Sequence, residues 1–346
     1  MAEARLTGRH AVEAGSPLPL VVDLDGTLVR TDTTLEGVLS LARHPVSLLR
    51  ALPALRLGRA AFKARLAASA DLDAALLPYH LPLLDYLREA RAAGRPLLLA
   101  TGADRRTAEA VARYLGLFGT VLASDGRTNL TGAAKLAAIR DTLGGRDFAY
   151  AGNSAADLRV WCGASAAICV NARAGVVRAA ATATTIERAF PPAPPLRLLL
   201  RAMRPLHWSR NLLVFLPVAV AQATGGAPAW GAAWLIFAAF CCAASGTAIA
   251  GELTNLAADR RHPDHSHGAF ANGTLALHIG VVAAVILVFC GLALGSAAGT
   301  LAVLICYAAG SVAYSLWLKA WSLPRLIAPA ARYGLRLLAG AVIAVG

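Results

Sequence analysis

The stretch Leu20-Val21-Val22-Asp23-Leu24-Asp25-Gly26-Thr27 decides how the first half of the chain folds. Leu20-Val21-Val22 is a short apolar run and reads as a buried strand. It leads straight into an acidic turn. Two carboxylates two residues apart at a strand end point into one crevice outside the carboxyl edge of a sheet. There, one carboxylate can attack phosphorus as a nucleophile while the other carries the leaving-group proton.

Working outward, Leu35 to Tyr79 is helical in pattern, broken at Pro45, Pro53 and Pro78. Its basic residues Arg50, Arg56, Arg59, Lys63 and Arg65 read as a solvated face, or as one that touches lipid phosphates. Further on, helices are expected at Leu84–Ala93, Arg105–Leu115 and Ala133–Leu143. Strands are expected at Arg95–Ala100, Thr120–Ala123, Phe148–Ala151 and Ala166–Val170. Strands alternating with helices indicate an α/β doubly wound parallel sheet. Three more pieces follow in order. Thr101 ends a strand and offers a hydroxyl to a phosphoryl oxygen. Lys135 sits near a helix start and offers a neutralising ammonium. Gly152-Asn153-Ser154-Ala155-Ala156-Asp157 follows a strand, and Asp157 completes a hard oxygen site for Mg²⁺.

In this arrangement the segment 20–175 resembles the haloacid dehalogenase superfamily. The resemblance implies Asp23 as nucleophile, Asp25 as general acid/base, and Thr101 and Lys135 as phosphate binders. It implies Mg²⁺ as cofactor, with Asp23, Asp25, Asn153 and Asp157 at the metal, and a helical cap at about residues 30–70 within a 1–190 domain. One departure stands out: Asn153 occupies a place where the family often has Asp. An inactive scaffold is the alternative reading.

The composition changes along the chain. Overall it is 57% hydrophobic and 15% charged, too apolar for an ordinary soluble protein. Residues 1–190 carry charge at soluble density, and Met1–Ser16 lacks the apolar core of a signal peptide. A proline-rich linker occupies 191–196. Beyond it, Leu206–Ala223, Trp230–Ala250, Leu275–Leu294, Thr300–Leu318 and Leu326–Val345 each approach the ~20 residues that span hydrocarbon. An all-α transmembrane bundle of about five spans is expected over 197–346, in the cell inner membrane. Positive loops place the first domain on the cytoplasmic side. The net charge of +13 fits a surface facing anionic lipid. No basic stripe is interleaved with aromatics, so nucleic acid is not an expected partner. The six cysteines show no CxxC spacing, which suggests neither a zinc site nor a disulfide framework.

The second half opens with Arg204-Pro205-Leu206-His207-Trp208-Ser209-Arg210-Asn211 and continues through Gly251-Glu252-Leu253-Thr254-Asn255-Leu256-Ala257-Ala258-Asp259-Arg260. Lys319 follows the fourth apolar stretch, and Tyr333-Gly334-Leu335-Arg336 lies in the fifth. Glu252, Asn255 and Asp259 are spaced to share one helix face. Carboxylates so placed can hold Mg²⁺, which in turn holds a diphosphate. In this order the motifs resemble the UbiA family of polyprenyl transferases, nearest the branch that transfers phosphoribose onto polyprenyl phosphate. The resemblance implies a polyprenyl phosphate lipid and a diphosphate-bearing co-substrate. It implies Arg204, Asn211, Glu252, Asn255, Asp259, Arg260, Lys319 and Arg336 as substrate-binding residues, with Glu252 and Asp259 at a metal. Gly251, Glu252 and Asn255 depart from the family's acidic pattern, Arg325 stands near an expected second acidic motif, and the spans are fewer than the family's. The residues leave open a homo-oligomer completing the bundle. They also leave open a membrane-tethered phosphatase with an inactive transferase half, and a non-catalytic lipid-binding module. His262, His265 and His267 read as solvated loop residues.

Overall fold

The computed structural model describes residues 17–70, 72–226 and 229–345. Met1–Ser16 and the side chain of Arg325 lie outside the described residues. The N-terminal half is built on a six-stranded sheet, β1 (Leu20–Val22), β2 (Leu97–Asp104), β3 (Thr120–Ser124), β4 (Ala149–Gly152), β5 (Ala166–Val170) and β6 (Thr185–Phe190). The spatial order is β3-β2-β1-β4-β5-β6, and every neighbouring pair is parallel. Val22 pairs with Leu99 on one side and Ala151 on the other. Strand order therefore reverses at β1, and the crevice opens at its carboxyl end.

Helices cover both faces of the sheet, which is why its central strands read as unbroken apolar runs. Leu20, Val22, Leu99 and Ile168 pack with Leu83, Leu87 and Val111. Val21, Leu98, Tyr150 and Cys169 face the other way, toward Ile139, Val160 and Trp161. β6 was not expected from the sequence. It lies at the sheet edge with mostly exposed side chains, so Thr-Ile-Glu-Arg-Ala-Phe shows no apolar run.

Between β1 and the helix Leu81–Ala92 the chain forms the helices Thr33–Leu41, Pro45–Ala51 and Arg59–Ala70, the expected cap. The loop after Asp25 is stitched down by Arg30 N–H to Pro78 O (2.9 Å) and His80 N–H to Leu28 O (2.9 Å).

In the C-terminal half, Trp230–Leu253, Leu277–Ala297 and Leu326–Ala344 are long and apolar enough to cross a membrane, which points to membrane association. Leu301–Leu316 is a shorter apolar helix. The expected span Leu206–Ala223 is instead a 3₁₀ segment, Pro205–Val214, followed by the short helix Phe215–Ala223. Polar residues from His207 to Asn211 explain the change, because Asn211 turns inward and is fully buried. The first two long helices pack closely at glycines. A Cβ on Gly246 would sit 2.9 Å from Ala284 O, and one on Gly291 would sit 2.9 Å from Ala239 O.

The cap rests on the membrane half. Leu35 and Leu39 pack against the cluster of Leu253, Leu256 and Phe270. Glu36 receives two hydrogen bonds from Arg260, at 2.5 and 3.1 Å. The Trp317 indole N–H donates to Arg43 O at 3.2 Å.

Candidate active site

Three neighbouring strands build the first site. Asp23 follows β1, Thr101 lies within β2, and Asn153 follows β4. Lys135 enters from the first turn of the helix Gly132–Thr142 and is 4% exposed. Its ammonium donates to Asp23 Oδ1 at 2.8 Å and to the Tyr150 hydroxyl at 2.9 Å. The Tyr150 hydroxyl donates in turn to Asp157 Oδ1 at 2.8 Å. Asp157 Oδ2 accepts from Asn153 N (3.1 Å), Ser154 N (3.0 Å) and Ser154 Oγ (3.0 Å). Asp157 thus holds the Asn153 loop in place and reaches Asp23 through Tyr150 and Lys135.

Burial pushes the Asp23 carboxyl up to about 6 against the opposing pull of Lys135. Burial also raises Asp25, with the Asp32 carboxylate adding to the effect. Asp25 Oδ1 accepts from Thr33 N–H at 2.9 Å, so the first turn of the helix Thr33–Leu41 fixes it. Thr101 is fully buried, and its Oγ1 accepts from Ala103 N–H at 3.0 Å. Its own proton is then available to a phosphoryl oxygen.

The donor chemistry fits Mg²⁺. A Cβ on Gly26, at φ +75°, would come 2.0 Å from Asn153 Nδ2, so the Asn153 amide lies directly on the Asp25-Gly26 turn. A half-turn of that amide exchanges its nitrogen for its oxygen. Asp23 and Asn153 would then supply hard oxygens on one side of the crevice, with the Asp25 carbonyl adjacent.

Four contributors escaped the sequence reading. Tyr150 hides in the strand run Ala149–Gly152 as an ordinary apolar position. Asn171, at φ 52°, donates to Gly26 O at 3.3 Å. Thr33 reads as cap sequence. Lys63, expected on a solvated or lipid-facing surface, instead reaches across to Gly102 O at 2.6 Å, next to Thr101. The cap closes over the site there.

The residues expected to bind substrate in the second half fall into three places. Glu252, Asn255 and Asp259 do not share one helix. The helix ends at Leu253 and a new one begins at Leu256, with Asn255 Nδ2 donating to Gly251 O at 2.6 Å across the break. Glu252 pairs with Arg204 at 2.6 Å, and the Asn255 carbonyl accepts from Lys319 Nζ. Burial raises the half-buried Asp259 carboxyl, with Lys319 and His265 opposing. Arg260 leaves this group for Glu36, and its Nε also donates to Ala271 O at 2.7 Å. Its guanidinium is thus bonded to the cap and not to Glu252 or Asp259. Arg336 lies within the bundle, donating to Asn211 Oδ1 (2.7 Å) and the Tyr307 hydroxyl (3.1 Å). It shares with Arg204, Arg210 and Arg332 the lining of a cavity of about 250 Å³. His262 and His265 stack at 4.6 Å in the loop, and among the described residues no group of three or more His, Cys, Asp or Glu is arranged for a metal.

An uncharacterized protein, y4nM, of Sinorhizobium fredii is 32% identical over 331 residues, 94% of this chain and 64% of that protein. Nodulation protein NoeC of Azorhizobium caulinodans is 35% identical over 148 residues, 41% of this chain and 47% of that protein. The chain thus spans less than two thirds of the length of these curated relatives. Among solved structures, a protein of unknown function from Bordetella pertussis is 20% identical over 50% of this chain and 98% of that one, at a TM-score of 0.41. A phospho-aspartyl intermediate analogue of phosphoserine phosphatase is 15% identical over 54% and 99%, at a TM-score of 0.36. Residues 20–160 match the haloacid dehalogenase-like hydrolase family. Strands β1 to β4 and the Asp23 crevice lie in that segment, so the match to haloacid dehalogenase-like hydrolases covers the site itself.

Proposed function

We propose that the chain is a bifunctional enzyme of the cell inner membrane. The helical half joins a polyprenyl phosphate to a diphosphate-bearing co-substrate, and the cytoplasmic hydrolase half removes a phosphate from the product. The observation that carries this reading is the seat of the cap on the loop of Asp259 and Arg260, sealed by the Glu36–Arg260 pair. A product made at the cytoplasmic ends of the spans starts beside the phosphatase, and such linkage raises the effective concentration of substrate.

In the phosphatase half, Asp23 attacks phosphorus through the carboxylate oxygen that Lys135 leaves open. Asp25 gives its proton to the departing alkoxide, then takes one from the water that cleaves the aspartyl phosphate. Lys135 and Thr101 stabilise the phosphoryl oxygens. Bound Mg²⁺ supplies further neutralisation of that charge.

A second reading keeps the phosphatase and makes the helices an anchor. It is favoured by the pairing of Glu252 with Arg204 and the hydrogen bond of Asn255 with Lys319, which leaves Asp259 as the one of the two acids without a direct ion pair among the described residues. The separating experiment uses membranes holding the full chain, Mg²⁺, polyprenyl phosphate and labelled phosphoribosyl diphosphate. Labelled lipid that disappears in Glu252→Ala supports transfer. Its absence from well-inserted protein leaves the anchored phosphatase.

A further inference from the structure

A cavity of about 660 Å³ lies at the seam between the cap and the membrane half. This is the size of pockets that enclose small ligands. The cap side contributes Ser40, Leu41, Arg43 and His44, and the membrane side contributes Leu253, Asn255, Leu316, Trp317 and Trp321. Leu253 and Leu316 are the last residues of two apolar helices, so the cavity lies at the ends of those helices. Trp317 and Trp321 are 47% and 70% exposed, as amphipathic rings at a lipid–water boundary are.

The charges around the cavity sort into matched and unmatched. Glu36 and Arg260 neutralise one another, and Arg261 faces Asp73 at 3.8 Å. Arg43 has no carboxylate in ion-pair distance among the described residues, and its Nε meets only Leu316 O at 3.4 Å. Lys319, held by Asn255 at the cavity wall, also lacks an acid within that distance among the described residues. Its amine is held below its usual value by burial and by the neighbouring Arg43 guanidinium. A cap cation on the cavity wall, Arg43, and a cation bonded to the wall residue Asn255, Lys319, thus flank the same aromatic cavity. Like charges repel at a cost that a shared anion would remove.

We infer that this cavity binds the phosphorylated headgroup of a lipid, with Arg43 of the cap and Lys319 of the membrane half gripping the phosphate and the indoles of Trp317 and Trp321 bordering the start of the tail. Neither half alone completes the site. Its occupant is an amphiphile, because one side is cationic and the other continues into the ends of the apolar helices. The inference rests on the reading of a phosphorylated lipid as the shared substrate.

The test is calorimetric titration of the full chain, in neutral detergent, with farnesyl monophosphate and separately with inorganic phosphate. Farnesyl monophosphate is expected to bind, and Arg43→Ala and Lys319→Gln each to weaken it about tenfold, as loss of one charge-assisted contact does. Arg43→Lys should retain most of the affinity, because it keeps the charge that grips the phosphate. Unchanged affinity in both Arg43→Ala and Lys319→Gln overturns the site. Inorganic phosphate binding that is equally tight and equally sensitive to Arg43 overturns the lipid assignment. Affinity is read here and not turnover, so binding without turnover defeats the functional reading alone.

Discussion

Glu36 and Arg260 form an ion pair across the seam in which the two side chains are 5% and 7% exposed. Glu36 lies one turn along the helix whose first residue, Thr33, holds Asp25. One nine-residue helix therefore touches both Asp25 and the C-terminal helical half.

Breaking such a pair from one side strands a buried charge and costs about 3–5 kcal/mol, whereas replacing both partners by apolar groups is often near neutral. Glu36→Gln and Arg260→Met should each lower the unfolding temperature of the full chain clearly. The double variant Glu36→Leu/Arg260→Met should recover most of that loss. Additive losses in calorimetry would show that the two residues act separately.

In the proposed Mg²⁺ site, Asn153 offers a neutral amide oxygen where a carboxylate would bind more tightly. Asn153→Asp should reduce the Mg²⁺ concentration for half-maximal phosphate release by roughly tenfold, and Asn153→Ala should raise it by a similar factor. A metal titration of p-nitrophenyl phosphate hydrolysis reads both. No change in either variant would remove Asn153 from the metal's surroundings.

Tyr150→Phe deletes the hydroxyl that joins Lys135 to Asp157. Leaving buried partners unsatisfied costs about 1–3 kcal/mol. The stability loss should come with slower phosphate release, since Lys135 loses a partner that positions it against Asp23. Stability loss with full activity would confine Tyr150 to the core.

His80 is 3% exposed, and its Nδ1 accepts from Leu83 N–H at 3.2 Å as the cap of the helix Leu81–Ala92. Burial, aided by the Arg30 guanidinium, holds it down at about 4. An unfolded histidine titrates near 6.5, so between those values the unfolded chain binds more protons. Stability from this group is complete above about pH 6.5 and is lost as the pH falls toward 4. His80→Asn keeps a capping oxygen without the titration. The acid limb of its unfolding-temperature profile should flatten, and an unchanged limb would place acid sensitivity elsewhere.

The doubly wound sheet was legible because Leu20–Val22, Leu97–Ala100 and Ala166–Val170 are apolar runs between helical stretches. The placement of Asp23 and Thr101 was legible because each follows such a run, and that of Lys135 because a helix was expected from Ala133. Lys63 and Asn171 were not, since their contacts lie 39 and 145 residues away, and Tyr150 was not, since a buried strand position hides its hydroxyl among apolar neighbours. Spacing alone also misplaced Glu252 and Asp259 on one helix face, because a single side chain, Asn255, caps a break that periodicity does not show. The Arg260 role depended on a partner 224 residues earlier, and no local pattern encodes that distance.

The central claim is that Asp23 is the phosphatase nucleophile. The direct test is brief incubation of the full chain with Mg²⁺ and p-nitrophenyl phosphate, quenching in acid, and peptide mass spectrometry. A phosphoryl group is expected on Asp23 and not in Asp23→Asn, which should also release no phosphate. Phosphate release that persists in Asp23→Asn, or a phosphoryl group trapped on another residue, would contradict it.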